Sequence, residues 1–384
     1  MKLPRYRFAV TCSHGFEPFL ETELKRLNLN QVKSGASVVQ FTGTVKEAYR
    51  AMLWSRLGSR VLLELGRFEG TTQDELYEGV LAIPWEDHMT SNGTLWIDFT
   101  GYSKDIRHTQ FAARKAKDAI VDRFRDRVGS RPSVDKDADL RIHIHLSHAL
   151  FTVSIDFCGT PLHIRTPDKH ITDAPLKETL AAVLLYASGW DRAHKRGIPM
   201  LDPMCGSGTI ALEAMGLACN RAPGLIRNEW NVFRWLGFEQ ALWDDTVESA
   251  KEQALDEPLA DVYAFDIDAS AIDCVRRNAQ SQGVPTPHLR VQPLTSLSAP
   301  DETGMVITNP PYGERIGSHA HVAGVYQELG AGLQNMPNWQ CHLLCPPNEL
   351  YQETGFGRTE ERITLYNGPL KCRFIELDLG NTTQ

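Results

Sequence analysis

Leu201-Asp202-Pro203-Met204-Cys205-Gly206-Ser207-Gly208-Thr209-Ile210 reads as the end of a strand, a glycine turn and the opening of a helix that continues through Ala211 and Leu212. Glycines let a backbone approach a ligand closely, and a helix start offers N–H groups with no partner inside the helix. A dinucleotide fingerprint needs a third glycine where Ala211 stands, and the Gly-Lys-Ser/Thr of a phosphate-cradling Walker loop is absent. The acid at the strand end, Asp202, suits a cationic ligand instead, such as the amino group of a methionine moiety. A purely structural turn is the competing reading of this stretch taken alone.

Strand and helix signals alternate around it at the spacing of βαβ units. Residues 175–180 open a helix, with Pro175 early and Leu180, Val183 and Leu184 in its apolar stripe. Strands are predicted at 200–202, 261–266, 288–292, 304–308 and 340–345, and residues 362–366 and 373–379 form an antiparallel pair. About seven strands in this order fit an α/β, doubly wound sheet, which binds ligands outside the carboxyl ends of its strands.

Upstream, two further blocks precede this third one, giving regions 1–66, 67–165 and 166–384. The first reads strand (5–12), helix (17–27), short strand (36–41), helix and strand (61–65), with Thr44 as the helix cap and Glu47 as its capping-box partner. In the second, residues 76–83 and 111–128 are helical and 94–99 alternate as a strand. Residues 141–146 and 151–157 alternate at period two and make a hairpin around Ser147-His148-Ala149. His143 and His145 share its polar face and read as solvated strand residues rather than metal ligands.

The chain has 384 residues, 42% hydrophobic and 23% charged, the profile of a folded soluble protein. No run approaches the ~20 apolar residues of a spanning helix, and the N-terminus has no export signal, so a cytoplasmic, membrane-free location is expected. The eight cysteines are scattered and read as free thiols. Cys341 and Cys345 lack a partner pair at metal-site spacing, and no metal is expected. Net charge is −8, yet Lys104, Arg107, Arg114, Lys115, Lys117, Arg123, Arg125, Arg127 and Arg131 make one stretch locally basic. Backbone phosphates respond to such local fields rather than to net charge.

Two more signals carry chemistry. Asp266, at the end of a Val-Tyr-Ala-Phe run, is placed to accept hydrogen bonds from ribose hydroxyls, whereas Asp268 reads as a helix cap. After the strand at 304–308 comes Asn309-Pro310-Pro311-Tyr312. The prolines stiffen the loop, so an amide oxygen and the adjacent Pro310 carbonyl can accept both hydrogens of an sp2 amine and hold its lone pair toward a methyl donor. Tyr312 offers a face for stacking a base drawn out of a helix.

Residues 201–210, Asp266 and Asn309-Pro310-Pro311-Tyr312 resemble the class I amino-methyltransferases with the NPPY signature. Ala174-Pro175-Leu176-Lys177-Glu178-Thr179-Leu180-Ala181, Asp202-Pro203-Met204-Cys205-Gly206-Ser207-Gly208-Thr209 and Arg221-Ala222-Pro223-Gly224 look like the bacterial ribosomal RNA large-subunit methyltransferase L family. The resemblance implies a class I, Rossmann-like methyltransferase domain with a seven-stranded sheet, preceded by a ferredoxin-like domain and a THUMP RNA-binding domain. It implies transfer of a methyl group from S-adenosyl-L-methionine to guanine N2 in large-subunit ribosomal RNA, as free RNA or an assembly intermediate. Asp202-Pro203, Gly206 and Gly208 would then meet the methionine end, Asp266 the ribose, and Lys177, Glu178 and Thr179 would lie beside the cofactor. Asn309 and Pro310 would hold the amine and Tyr312 the base, and Arg315 would meet phosphate or remain a surface arginine.

Two departures stand out. Where a residue holding the adenine amine is expected, the chain has Gln292-Pro293-Leu294-Thr295; either Gln292 takes that task or adenine is held by apolar contact. Some relatives also fuse a second methyltransferase domain, which is not expected here. The competing functions are a transfer RNA guanine-N2 methyltransferase, an adenine methyltransferase, and a non-catalytic RNA-binding assembly factor.

Overall fold

The computed structural model describes residues 4–165, 176–312 and 319–382; Ala174, Pro175 and Arg315 lie outside the described residues. The chain divides into two compact units, one of Met1–Ser13, Leu20–Leu162 and Arg227–Glu248, the other of His14–Phe19, His163–Ile226 and Ser249–Gln384. No helix among the described residues is long and apolar enough to cross a membrane.

The first unit is built on β1 (Tyr6–Thr11), α1 (Glu17–Arg26), β2 (Asn30–Gly35), β3 (Val38–Gly43), α2 (Val45–Trp54), β4 (Arg60–Glu69), α3 (Gln73–Ala82), β5 (Thr94–Gly101), α4 (Thr109–Val128), β6 (Ser133–Val134), β7 (Leu140–Ser147) and β8 (Leu150–Asp156). Its strands form one sheet in the order β2-β3-β1-β4-β8-β7-β5-β6. Strand β4 joins its halves: Leu63 pairs with Phe8 of β1, while Leu62 through Glu69 pair with Asp156 back to Leu150 of β8. A register shift between Glu64 and Gly66 carries β4 past the point where its apolar run ends.

Local signals fix the helices. Thr44 and Glu47 close the expected capping box on α2, and Thr72 and Glu75 close another on α3. Helix α4 buries Ala112, Ala116, Ala119, Ile120 and Phe124 and ends at Gly129 with φ 75°. The β7–β8 hairpin turns at His148 and Ala149, both at positive φ, as tight two-residue hairpins require. His145 is exposed, while burial depresses the pKa of the half-buried His143.

The second unit contains α5 (Glu178–Ala187), α6 (Trp190–Ala193), β9 (Met200–Asp202), α7 (Thr209–Ala218), α8 (Gln240–Glu252), β10 (Val262–Asp266), α9 (Ala269–Gln282), β11 (His288–Val291), β12 (Gly304–Thr308), α10 (His319–Leu333), β13 (Trp339–Cys345), β14 (Phe356–Asn367) and β15 (Leu370–Thr382), with most of α8 assigned to the first unit. The sheet order is β11-β10-β9-β12-β13-β15-β14. Strands β9 to β13 are parallel, and β15 runs antiparallel between β13 and β14. Strand order reverses between β9 and β12, where Met200 pairs with both Val262 and Met305. Leu201, Phe265, Val306 and Leu343 from the strands pack with Val322, Tyr326 and Leu329 of α10 in one buried cluster.

Residues 227–248 belong with the first unit, whose core they complete. Tyr49 lies edge-on to Trp243 with ring centroids 5.3 Å apart, and its hydroxyl accepts from the Glu239 N–H at 3.1 Å. Trp235 packs on Phe157 and donates to His88 Nδ1 at 3.1 Å. Arg227 lies 4.1 Å over the Trp230 ring and donates to the carbonyls of Cys158 and Thr160. A stretch that follows α7 in the chain thus fills an aromatic core built on earlier elements.

Candidate functional site

The reversal of strand order opens a crevice between the carboxyl ends of β9 and β12. Asp202 ends β9 and is only 2% exposed. Its Oδ1 accepts from Thr308 Oγ1 at 2.6 Å and from the Met204 N–H at 3.3 Å. Burial pushes the Asp202 carboxyl up to about 7, and the charge of Asp266 adds to the shift. A cation placed beside it would favour the ionised form.

Asp266 ends β10 and splits its carboxylate. Oδ2 accepts from the Gly206 N–H at 2.9 Å and Oδ1 from the Asp268 N–H at 3.0 Å, which ties the glycine turn to the neighbouring strand. Each oxygen keeps a further lone pair. Asp268 caps α9 through the Ser270 N–H, as its position suggested. Gly206 and Gly208 adopt φ of 51° and 82°. A Cβ on Gly208 would sit 2.8 Å from Val275, so this glycine permits close packing of α9. Buried Asn278 on α9 donates to the Ser207 carbonyl at 3.0 Å and pins the turn from beneath.

These strand ends surround a cavity of about 500 Å³. Asp202, Pro203, Gly206, Asp266, Gln292, Asn309, Pro310 and Tyr312 all line it. Lys177, Glu178, Thr179 and Gly208 stand outside the lining: Lys177 is exposed, Glu178 and Thr179 are buried in the first turn of α5, and Leu176 faces the cavity in their place. The wall also holds Leu294, from the Gln292-Pro293-Leu294-Thr295 stretch quoted above, and Ile267, His321, Glu328 and Asn367, which the sequence did not single out. Ile267 is 71% exposed and sits between two acids at a strand end, a signal that could have marked it.

Asn309 Oδ1 is buried and has no hydrogen-bond partner among the described residues. A buried acceptor in that state is costly unless something donates to it, and Asn309 faces a cavity that admits a donor. Pro310 is buried and offers a carbonyl without an N–H. The half-buried Tyr312 receives a hydrogen bond on its hydroxyl from Asn367 Nδ2 at 2.8 Å.

The first unit has a second concavity, of about 630 Å³, lined by Gln73, Lys104, Asp105, Arg107, His108, Gln110, Phe111 and Arg114. Structure sorts the basic residues of this region. Arg123 grips both oxygens of Glu86 at 2.7 Å, Arg125 pairs with Asp122, Lys115 with Asp74 and Lys117 with Asp118. Lys104, Arg107 and Arg114 are exposed and have no ion pair among the described residues. Phe111 beside them is 54% exposed.

Residues 7–62 match the RlmL ferredoxin-like domain and residues 70–156 the THUMP domain. The ribosomal RNA large subunit methyltransferase K/L of Syntrophotalea carbinolica is 39% identical over 97% of this chain. The chain spans about half the length of the curated relatives it matches. Among solved structures, a predicted N6-adenine-specific DNA methylase from Listeria monocytogenes superposes with TM-score 0.86, 29% identity and coverage of 97% of this chain and 96% of its own. A methyltransferase-like protein complexed with S-adenosylhomocysteine superposes with TM-score 0.85, 27% identity and 98% coverage of both chains. The sheet is accordingly that of the class I, S-adenosylmethionine-dependent methyltransferases. Residues 165–375, more than half of the sequence, match the RMKL-like methyltransferase domain, and the chain belongs to that family.

Proposed function

We propose that this chain transfers a methyl group from S-adenosylmethionine to guanine N2 in large-subunit ribosomal RNA. The observation that carries the reading is the buried Asn309 Oδ1, an acceptor without a partner on the wall of the cavity that Asp202 and Asp266 also line. The curated relatives' names supply the ribosomal RNA.

The residues present fit the cofactor. Buried Asp202, with its raised pKa, suits the amino group, and Gly206 at φ 51° lets backbone approach the methionine end. Asp266 keeps lone pairs for ribose hydroxyls, and Gln292 with Ile267 and Leu294 would receive adenine. Lys177, Glu178 and Thr179 would act by setting α5 behind Leu176. When bound, the cofactor supplies an electrophilic methyl group.

The chain's own contribution is placement. Asn309 Oδ1 and the Pro310 carbonyl accept the two amine hydrogens, which turns the nitrogen lone pair toward the donor and contributes through orientation rather than proton abstraction. Tyr312 offers its ring to the extruded base. Lys104, Arg107 and Arg114 would hold the RNA backbone, with Phe111 as a stacking surface.

Incubation with methyl-labelled S-adenosylmethionine tests the reading on free large-subunit ribosomal RNA, assembly intermediates and transfer RNA, followed by nucleoside chromatography. N2-methylguanosine in ribosomal RNA is the expected product. The Listeria neighbour's name points to adenine, so N6-methyladenosine, or label confined to transfer RNA, would overturn the choice of substrate. Absence of transfer to any of these RNAs would overturn the enzymatic reading.

A further inference from the structure

Tyr312 is held by a residue far from it in sequence. Asn367 closes β14 at the hairpin turn, where it pairs with Leu370 across Gly368 and Pro369. Gly368 takes φ 63°, so the two-residue connection is tight and the position of Asn367 is set by strand register. From there Asn367 Nδ2 donates to the Tyr312 hydroxyl at 2.8 Å, and Asn367 itself lines the cavity. The buried Cys372 thiol of β15 donates instead to the Leu370 carbonyl at 3.7 Å.

A stacking ring held at one end only swings with the loop that carries it. Pro310 and Pro311 fix the backbone before Tyr312. Asn367 fixes the far end of the side chain. We propose that Asn367 is a positioning residue, which sets the long axis of the Tyr312 ring relative to Asn309 and so aligns the base with the amine-binding oxygens. This inference rests on the function proposed above. It adds that the β14–β15 hairpin is part of the substrate site, although the nucleotide-binding strand ends lie elsewhere in the sheet.

A double-mutant cycle tests it. Tyr312→Phe removes the hydroxyl, Asn367→Ala removes the donor, and the pair is combined in the full chain. Each single variant should lower kcat/KM for RNA about tenfold and leave the Kd for S-adenosylmethionine within about twofold of wild type. The double variant should lose no more than Tyr312→Phe alone, because both changes break the same bond. Multiplied losses in the double variant, or a cofactor Kd that weakens in step with the rate, would overturn the proposal. Thermal melting shows whether Asn367→Ala is folded. If it is not, Tyr312→Phe decides alone, and a wild-type rate in that variant overturns the tether. Wild-type protein that methylates no RNA would overturn the proposed function and this inference with it, whereas active wild type with an equally active Asn367→Ala removes only the inference.

Discussion

Thr308 donates a 2.6 Å hydrogen bond to Asp202, joining the ends of β12 and β9 across the point where strand order reverses. The carboxylate thereby stands between the two halves of the sheet, buried and close to Asp266, with its pKa raised from 3.8 to about 7. A carboxyl whose folded pKa is raised binds its proton more tightly in the native state. Its stability contribution is full below 3.8 and is lost as pH rises to about 7. Without cofactor, the protein should therefore lose stability relative to Asp202→Asn between pH 5 and 7, as read from denaturant midpoints. Cofactor binding near pH 6.5 should release a proton, seen as a buffer-dependent binding enthalpy that Asp202→Asn abolishes.

His342 gives the opposite slope. It is fully buried in β13, stacked on Phe374, and neither ring nitrogen has a hydrogen-bond partner among the described residues. Burial, with Arg362 nearby, lowers its pKa from 6.5 to about 4. Here stability is full above 6.5 and is lost as pH falls through 4, by on the order of 2–3 kcal/mol. His342→Phe should flatten the fall in melting temperature between pH 6.5 and 4; an unchanged slope would refute this role.

Asn309→Ala should reduce methyl transfer at least ~100-fold, the scale expected when a reacting group is misplaced by about an ångström. Labelled incorporation should fall while RNA affinity, measured by filter binding, stays within about threefold of wild type. Transfer near the wild-type rate would remove Asn309 from the reaction.

Neutralising Lys104, Arg107 and Arg114 together should weaken RNA binding and flatten its salt dependence, by up to ~0.7 in the log–log slope for each single-strand phosphate that is no longer neutralised. Changing Lys115 and Lys117, which already pair with Asp74 and Asp118, should do much less. Titrations at several salt concentrations separate the two sets, and equal effects would place the RNA elsewhere.

Buried parallel strands were readable because burial on both faces demands unbroken apolar runs: β12, Gly304–Thr308, was located to the residue. Capping boxes were readable because they are local chemistry. Strand β2 was missed since Asn30–Gly35 is almost wholly exposed and carries no alternation. β14 and β15 proved longer than their apolar cores because backbone pairing continues where side chains face solvent. At the strand ends Asp202, Asp266 and Asn309 stood out in the sequence, and all three line one cavity. Thr308, Asn278 and Asn367 did not, since each acts on a partner 55 or more residues away and nothing local marks it.

Strand β4 bears on how the N-terminal half can be divided. The ferredoxin-like match ends at residue 62 and the THUMP match begins at residue 70, and β4 fills that interval. An interval between two modules ordinarily behaves as a severable linker. Here β4 is one continuous strand, paired with β1 along residues 60–63 and with β8 along residues 62–69, so a cut would leave raw sheet edges, each a template for aggregation. The pair should melt in one cooperative transition, and limited proteolysis should not release either as a stable fragment. Neither module can be lent to another protein without its neighbour.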